Sequence, residues 1–347
     1  MADNIDSSND RANIAYLGSR KDVWHHHGQE MLAGQATAEW RKQAGLEFSA
    51  ILAPVFANLN GPDFAHISAD KRIVEIGNKR AIVRNDTGAV LGFASDGYQP
   101  HQPSEVLDWF DRYISVDDRF QLDVAGSLKG GAIIWATAKF NGEHSVAGEK
   151  HTARVLMSTT FDATRATINK MTETRVVCNN TLDTALADGL SCIRTTHRSK
   201  FDAARVGKEL AALAQGVANY KQIGDALAQT ELAKEQVSEF FKTLLDIPFD
   251  QIKADTSTRK LNQFAALNQA YRTTVAERGG NFDKDRPDAW TALQAITRYV
   301  DHDRSARGDN ESEARFASAQ FGTGNVMKGQ AMQLLLPRIK DKVLIAA

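Results

Sequence analysis

Between about residues 70 and 180, hydrophobic positions recur every second residue, in short runs rich in β-branched and aromatic side chains. Side chains of a strand alternate between two faces, so this spacing predicts sheet. The run KRAIVRNDTGAVLGFAS reads as a hairpin, with Asn85, Asp86, Thr87 and Gly88 supplying the turn. Gly88 can take a positive φ there because it has no Cβ to clash. FQLDVAGSLKGGAIIWATAKF reads as a second hairpin, turning near Lys129, Gly130 and Gly131. Between them, QPSEVLDWFDRYI spaces Val106, Leu107, Phe110 and Ile114 along one helical face, with Ser104 placed to cap it. TARVLMSTTFD and TRVVCNN predict two further strands. After them Asn180 is placed to cap a helix over TLDTALADG that stops at Gly189.

From 201 to 246 the period changes. Val206, Leu210, Leu213, Val217, Tyr220, Ile223 and Leu227 recur every three or four residues with charge and Gln between them, which predicts a long amphipathic helix or a helix pair. DIPFDQIKADTS breaks the pattern, helical spacing resumes, and the polar stretch DHDRSARGDNESEAR leads to FGTGNVMKGQAMQLLL, a Gly-bearing turn opening another helix. The expected fold is α+β: an antiparallel curved sheet of hairpins with packed helices, followed by a mainly helical C-terminal part. The expected divisions are a flexible N-terminus over 1–15, a core domain over 16–200 and a helical region over 201–347.

Composition narrows the setting. A 42% hydrophobic and 24% charged chain is ordinary for a soluble globular protein. No apolar run approaches the roughly 20 residues that span a bilayer. The polar start MADNIDSSNDRAN has no apolar core of a secretory signal, so the expected location is cytoplasmic. Cys178 and Cys192 have no C-x-x-C partner and fit neither a disulfide framework nor a common zinc spacing. The net charge of −1 argues against a protein wrapped around duplex DNA.

Four stretches carry candidate chemistry. In VWHHHGQE, His25, His26 and His27 are adjacent; neighbours in a strand face opposite ways, so Asp22 and Glu30 would have to complete a metal shell, and a polar loop around Trp24 is the plainer reading. FGTGNVMKG lacks the G-K-S/T of a phosphate loop, which leaves Asn325 as a helix cap and Lys328 as the one residue that could meet phosphate. Cys178, with His151 or His197 as base, could be a thiolate nucleophile, but it ends the apolar run Val176, Val177, Cys178, where Cys serves as a small hydrophobe. CIRTTHRSKFDAAR gathers Arg194, His197, Arg198, Lys200 and Arg205, a strip suited to phosphates or simply a solvated face. Arg154, Arg165, Lys170 and Arg175 would extend it if they fold onto one side.

The segments WHHHG, VRNDTGAVLGFASDGYQPHQPSEVLDWFD, AGSLKGGAIIWATAKF, TRVVCNNTLDTAL and THRS, taken in series, resemble the phage and plasmid-like proteins grouped as domain of unknown function 932. The resemblance covers roughly 16–205, and FGTGNVMKGQAM more loosely. It implies DNA metabolism, counter-defence or establishment in a host. Two segments depart from the family pattern: Val23, Trp24 and three His stand where a Pro-Trp-His-Gly-Leu-Gly type segment is usual, and Phe161, Asp162 and Ala163 stand where His-Asp-Gly is usual. The order of hairpins and helix before a basic helical stretch is also loosely similar to Rad52-type single-strand annealing proteins, an analogy of fold alone.

The expectation is therefore an oligomeric protein, pictured as a ring, that holds single-stranded DNA without metal, cofactor or catalytic side chain. Arg194, Arg198, Lys200, Arg175, Lys170 and Arg165 would contact the backbone, and Tyr98 and Trp135, exposed, would stack bases. The alternatives are a non-enzymatic protein that docks a host or phage protein through the 201–246 helix and, last, a hydrolase centred on Cys178 or the His cluster.

Overall fold

The computed structural model describes residues 12–18, 28–113, 120–142, 144–175, 181–183, 192–248, 257–280, 288–306 and 311–339. The first part of the chain gives β1 (Ile14–Leu17), β2 (Gln29–Met31), α1 (Thr37–Gln43), β3 (Ala50–Asn58), β4 (Ile73–Arg84), β5 (Val90–Ala94) and α2 (Pro103–Tyr113). β6 (Phe120–Leu128), β7 (Ile133–Phe140), β8 (His144–Val146), β9 (Glu149–Thr160), β10 (Thr167–Arg175), β11 (Thr181–Asp183) and β12 (Cys192–Thr195) follow. Helices then take over: α3 (Ala203–Ala228), α4 (Lys234–Leu244), α5 (Thr258–Glu277), α6 (Ala289–Arg298), α7 (Glu311–Phe321) and α8 (Thr323–Leu335).

The α+β class and the helical C-terminal part are as expected, but the strands form two sheets. A nine-stranded sheet runs β11-β10-β9-β7-β6-β1-β2, with β12 also on β10 and β8 also on β9; a separate three-stranded sheet runs β3-β4-β5. Among the described residues every pairing is antiparallel except β1 with β2, and neither sheet closes. Both expected hairpins form. Their turns use positive φ at Gly88 (73°), Gly130 (64°) and Gly131 (97°), backbone that a Cβ disfavours.

The large sheet buries one face through register. Ala125, Ala136 and Met157 lie opposite one another across β6, β7 and β9, and Ala138, Val155 and Met171 across β7, β9 and β10. α2 covers this face with Val106, Leu107, Trp109 and Phe110, all buried. Its start differs from the expectation. Pro103 opens the helix, where its missing N–H costs nothing, and Gln102 N donates to Glu105 Oε2 (2.7 Å), so Ser104 is inside the helix and not its cap.

Two further expectations are corrected. Thr181–Asp183 is not the start of a helix: it forms β11, paired with Thr172, Glu173 and Thr174, because a free edge of β10 satisfies its backbone groups. Asn180, Gly189 and Ile114 lie outside the described residues. At the other end α8 is capped by Gly322, not Asn325, which sits in its first turn.

The helices hold a second core around Trp290, Leu293, Ile296, Tyr271 and Phe241. The β8–β9 turn enters it: Val146 is fully buried there, Ala147 N donates to Asp225 Oδ1 (2.6 Å), and Arg278 Nε pairs with Glu149 (3.3 Å). Gly224 of α3 makes this entry possible, since a Cβ there would meet Val146 Cγ1 at 2.1 Å.

Candidate functional site

The loop before α2 and the loop before α3 meet on the edge of the large sheet. Tyr98 and His197 stack with ring centroids 4.6 Å apart, and His101 lies against His197 at 4.4 Å. His101 Nε2 donates to Ser199 O (2.8 Å), and its Nδ1 lies 2.6 Å from Thr167 Oγ1. His197 Nδ1 donates to Gln99 O (3.0 Å), while its Nε2 lies 3.4 Å from Thr159 Oγ1. The Thr167 and Thr159 hydroxyls lie 2.7 Å apart, joining the two rings, and Tyr98 OH donates to Thr160 O (2.8 Å).

Burial sets the protonation of this junction. It pushes His197 down to about 4, helped by the neighbouring His101, while the hydrogen bond to Gln99 opposes it. Burial also lowers His101 and raises the Tyr98 hydroxyl. Both imidazoles are therefore neutral at pH 7, each held by a carbonyl that fixes the tautomer. The arrangement is a latch between two loops and two strands. His197 has both ring nitrogens engaged within the latch, and Cys178 lies outside the described residues. His151 is buried between Tyr220 and Trp290.

The proposed stacking aromatics are not on the surface. Tyr98 is 8% exposed, beneath His197, and Trp135 is 4% exposed, packed with Leu128, Ile133 and Leu156 on the second face of the large sheet. A ring so placed contributes its area to the core and offers no face to a base. Lys170 is also withdrawn: it is 2% exposed and donates from Nζ to Gln320 O (2.7 Å) at the end of α7. Arg165 is half-buried, and burial lowers its guanidinium while Asp162 opposes that. Arg154 pairs with Asp123 (2.6 Å). Arg175 is placed by its backbone opposite His151, and its side chain lies outside the described residues.

What remains exposed is Arg194, Arg198, Lys200 and Arg205. In β12 strand alternation turns Ile193 and Thr195 inward and Arg194 outward, and in the turn that follows His197 is buried while Thr196 and Arg198 are exposed. Arg205 is drawn off to Thr195 Oγ1 (2.6 Å). Lys328, the other phosphate candidate, is 1% exposed and donates to Asp301 Oδ1 (2.9 Å).

A feature with no sequence signature in the motifs stands beside the latch. No residue from 51 to 80 is buried, yet β3 and β4 pair along this arm, with a shift of register between Pro54 and Phe56. At its base Ile82 and Leu91 enter the main core, and buried Arg84 grips Asp86 in two bonds (3.0 and 2.7 Å) over the Phe48 ring. Gln102 closes the β3 edge at Ala50 by accepting from its N–H (2.9 Å) and donating to its carbonyl (3.0 Å). On the outward face Ile51, Val83 and Val90 form one cross-strand row and Ala53, Ala81 and Phe93 the next. Ile51, Val90 and Phe93 are 47, 56 and 58% exposed, and Phe56 and Ile73 further out are 52 and 55%.

Among the described residues no group of three or more His, Cys, Asp and Glu could hold a metal ion, and no helix is long and apolar enough to cross a membrane. His25, His26 and His27 lie outside those residues. No curated protein and no solved structure matches the chain. A family model described as domain of unknown function (DUF932) matches residues 90–320, a span that contains both halves of the latch, the strip at 194–200 and most of the helical part. With more than half of its 347 residues so matched, the chain belongs to the domain of unknown function family DUF932.

Proposed function

We propose that this protein is a non-enzymatic assembly protein whose copies associate through the 51–80 arm and together hold single-stranded DNA along Arg194, Arg198 and Lys200. The observation that carries the reading is the arm: a hairpin with no buried side chain of its own is marginal in water, and its exposed apolar rows gain stability only against a partner. The arm's charges nearly cancel, Lys71, Arg72, Lys79 and Arg80 against Asp63, Asp70 and Glu75, so two copies meet without strong repulsion. Association also suits the weak footprint of a single chain. Three exposed cations bind a phosphate backbone loosely, and several copies on one strand multiply that through effective concentration.

Labelled oligo-dT and a matched duplex, titrated across a salt series with light scattering on the same sample, test the proposal. Single-strand binding by an oligomer, with a salt slope of about −2 per bound copy for three phosphate contacts, supports it. A monomer that retains neither nucleic acid at low salt removes it. In that case the arm's apolar face favours the second reading, a docking protein for a host or phage partner, whose complex is insensitive to salt.

A further inference from the structure

α5, the turn after α6, α7 and the start of α8 enclose a cleft of about 830 Å³. Its walls follow from helical spacing. Arg259, Asn262, Gln263 and Ala266 lie on one face of α5, and Ala314, Arg315 and Ser318 lie on one face of α7. Between them α6 runs on into a π-helical turn, Tyr299–Asp303, that closes with Arg304 N donating to Tyr299 O (2.7 Å) and puts Arg304 on the cleft. Such turns recur at functional sites because they displace a residue from regular register.

Arg304 is the central group. Its Nη2 donates to Thr323 Oγ1 (3.2 Å), and its carbonyl accepts from Arg315 Nε (2.8 Å). Its Nη1 is shielded from solvent and has no hydrogen-bond partner among the described residues. A buried cationic donor left unmatched is costly, so the arrangement is completed by an acceptor in the cleft. Arg259 adds an exposed guanidinium. Arg315 is engaged by Glu311 (2.9 Å), and the one carboxylate among the described lining residues, Asp303, leans toward Arg298 (3.7 Å). The balance therefore favours an anion. Ser318 and Thr323 line the same cleft, and Ser318 Oγ accepts from Gly324 N (3.1 Å) in the first turn of α8, where free N–H groups add positive potential.

We infer that this cleft binds a small phosphate-bearing metabolite of about nucleotide size, with Arg304 and Arg259 as its phosphate ligands. The volume lies within the range of small-molecule sites, roughly 300–1,000 Å³. A polymer would instead require an extended basic track with stacking surfaces. The site is independent of the DNA strip proposed above, which lies on the sheet edge at β12.

The test is calorimetric titration of the full chain with AMP and with inorganic phosphate at constant ionic strength. The expected result is saturable binding of AMP with Kd below about 1 mM, weakened at least about tenfold by Arg304→Gln and by Arg259→Gln and unchanged by Arg198→Gln. Because Arg304 also anchors the turn, Arg259→Gln, exposed on α5, is the variant that keeps the fold. No saturable response to AMP or phosphate overturns the inference, as does equal binding by all variants. So does a response to oligo-dT alone, or a loss of AMP binding in Arg198→Gln.

Discussion

Tyr98 and His197 lie ring on ring at 4.6 Å, and through that contact two loops distant in sequence become one edge of the sheet. The imidazole is buried and neutral, so it resists protonation in the fold. His197 titrates at about 4 in the folded chain against an ordinary 6.5, and His101 is shifted in the same direction. Between these values the unfolded chain takes up a proton that the folded chain refuses. Stability is therefore full above pH 6.5 and falls as the pH drops toward 4, by about 2–3 kcal/mol from His197. Urea midpoints of wild type and His197→Phe from pH 7.5 to 4.5 check this: the variant keeps the ring contact, starts lower, and shows a flatter acid limb. Parallel acid limbs would remove His197 as the cause.

Ala163 holds φ at 57°, a left-handed value that a Cβ disfavours by roughly 1 kcal/mol. It stands where the resembled motif has Gly. Ala163→Gly is expected to raise stability by up to about 1 kcal/mol, less the added freedom of glycine in the unfolded chain. Thermal unfolding at pH 7.5 measures it, and a lower midpoint would contradict the strain.

Lys328 and Asp301 form an ion pair with side chains 2% and 9% exposed. Lys328→Met leaves a carboxylate buried without that cation, at a cost of about 3–5 kcal/mol. Adding Asp301→Leu is expected to restore most of the loss, because two apolar groups need no partner. Chemical unfolding of the single and double variants distinguishes this from a site for phosphate, in which the double variant would gain nothing.

Much of the fold was legible because alternation and turn chemistry are local. Gly88, Gly130 and Gly131 marked their hairpins, and Tyr220, Ile223 and Leu227 marked the buried face of α3. The errors came where tertiary contacts decide. Tyr98, Trp135 and Lys170 look like surface binders in sequence, but a strand's second face is exposed only if nothing covers it, and here each side chain has found cover or a partner. His101 was missed although Pro100 and Pro103 mark its loop, because only the fold brings it against His197. The arm was equally hidden: β3 is apolar from Ala50 to Ala57, like a strand covered on both faces, and nothing in that run says that its faces meet solvent.

Gly224 and Val146 couple the helices to the sheet. A methyl at Gly224 would occupy the position of Val146 Cγ1, so Gly224→Ala forces the β8–β9 turn outward and is expected to cost about 1–3 kcal/mol. Val146→Ala alone opens a cavity and costs about 1–2 kcal/mol. The double variant should lose less than the sum, with a coupling of at least about 1 kcal/mol in a double-mutant cycle. Additivity would show that the two do not meet.

The arm gives the sharpest separation of assembly from folding. Ile51, Val90 and Phe93 are about half exposed, so replacing one with a charge costs the lone chain little. In an assembly built on this face the same charge is buried against an apolar partner without a counter-ion, which weakens association at least about a hundredfold. Phe93→Asp is therefore expected to shift the mass from oligomer to monomer in light scattering while the unfolding midpoint extrapolated to low protein concentration stays within about 0.5 kcal/mol of wild type. Monomer formation together with collapse of the fold would mean that Phe93 supports the three-stranded sheet itself. An unchanged mass would move the interface off this apolar face, and with it the reason for paired strands where no side chain is buried.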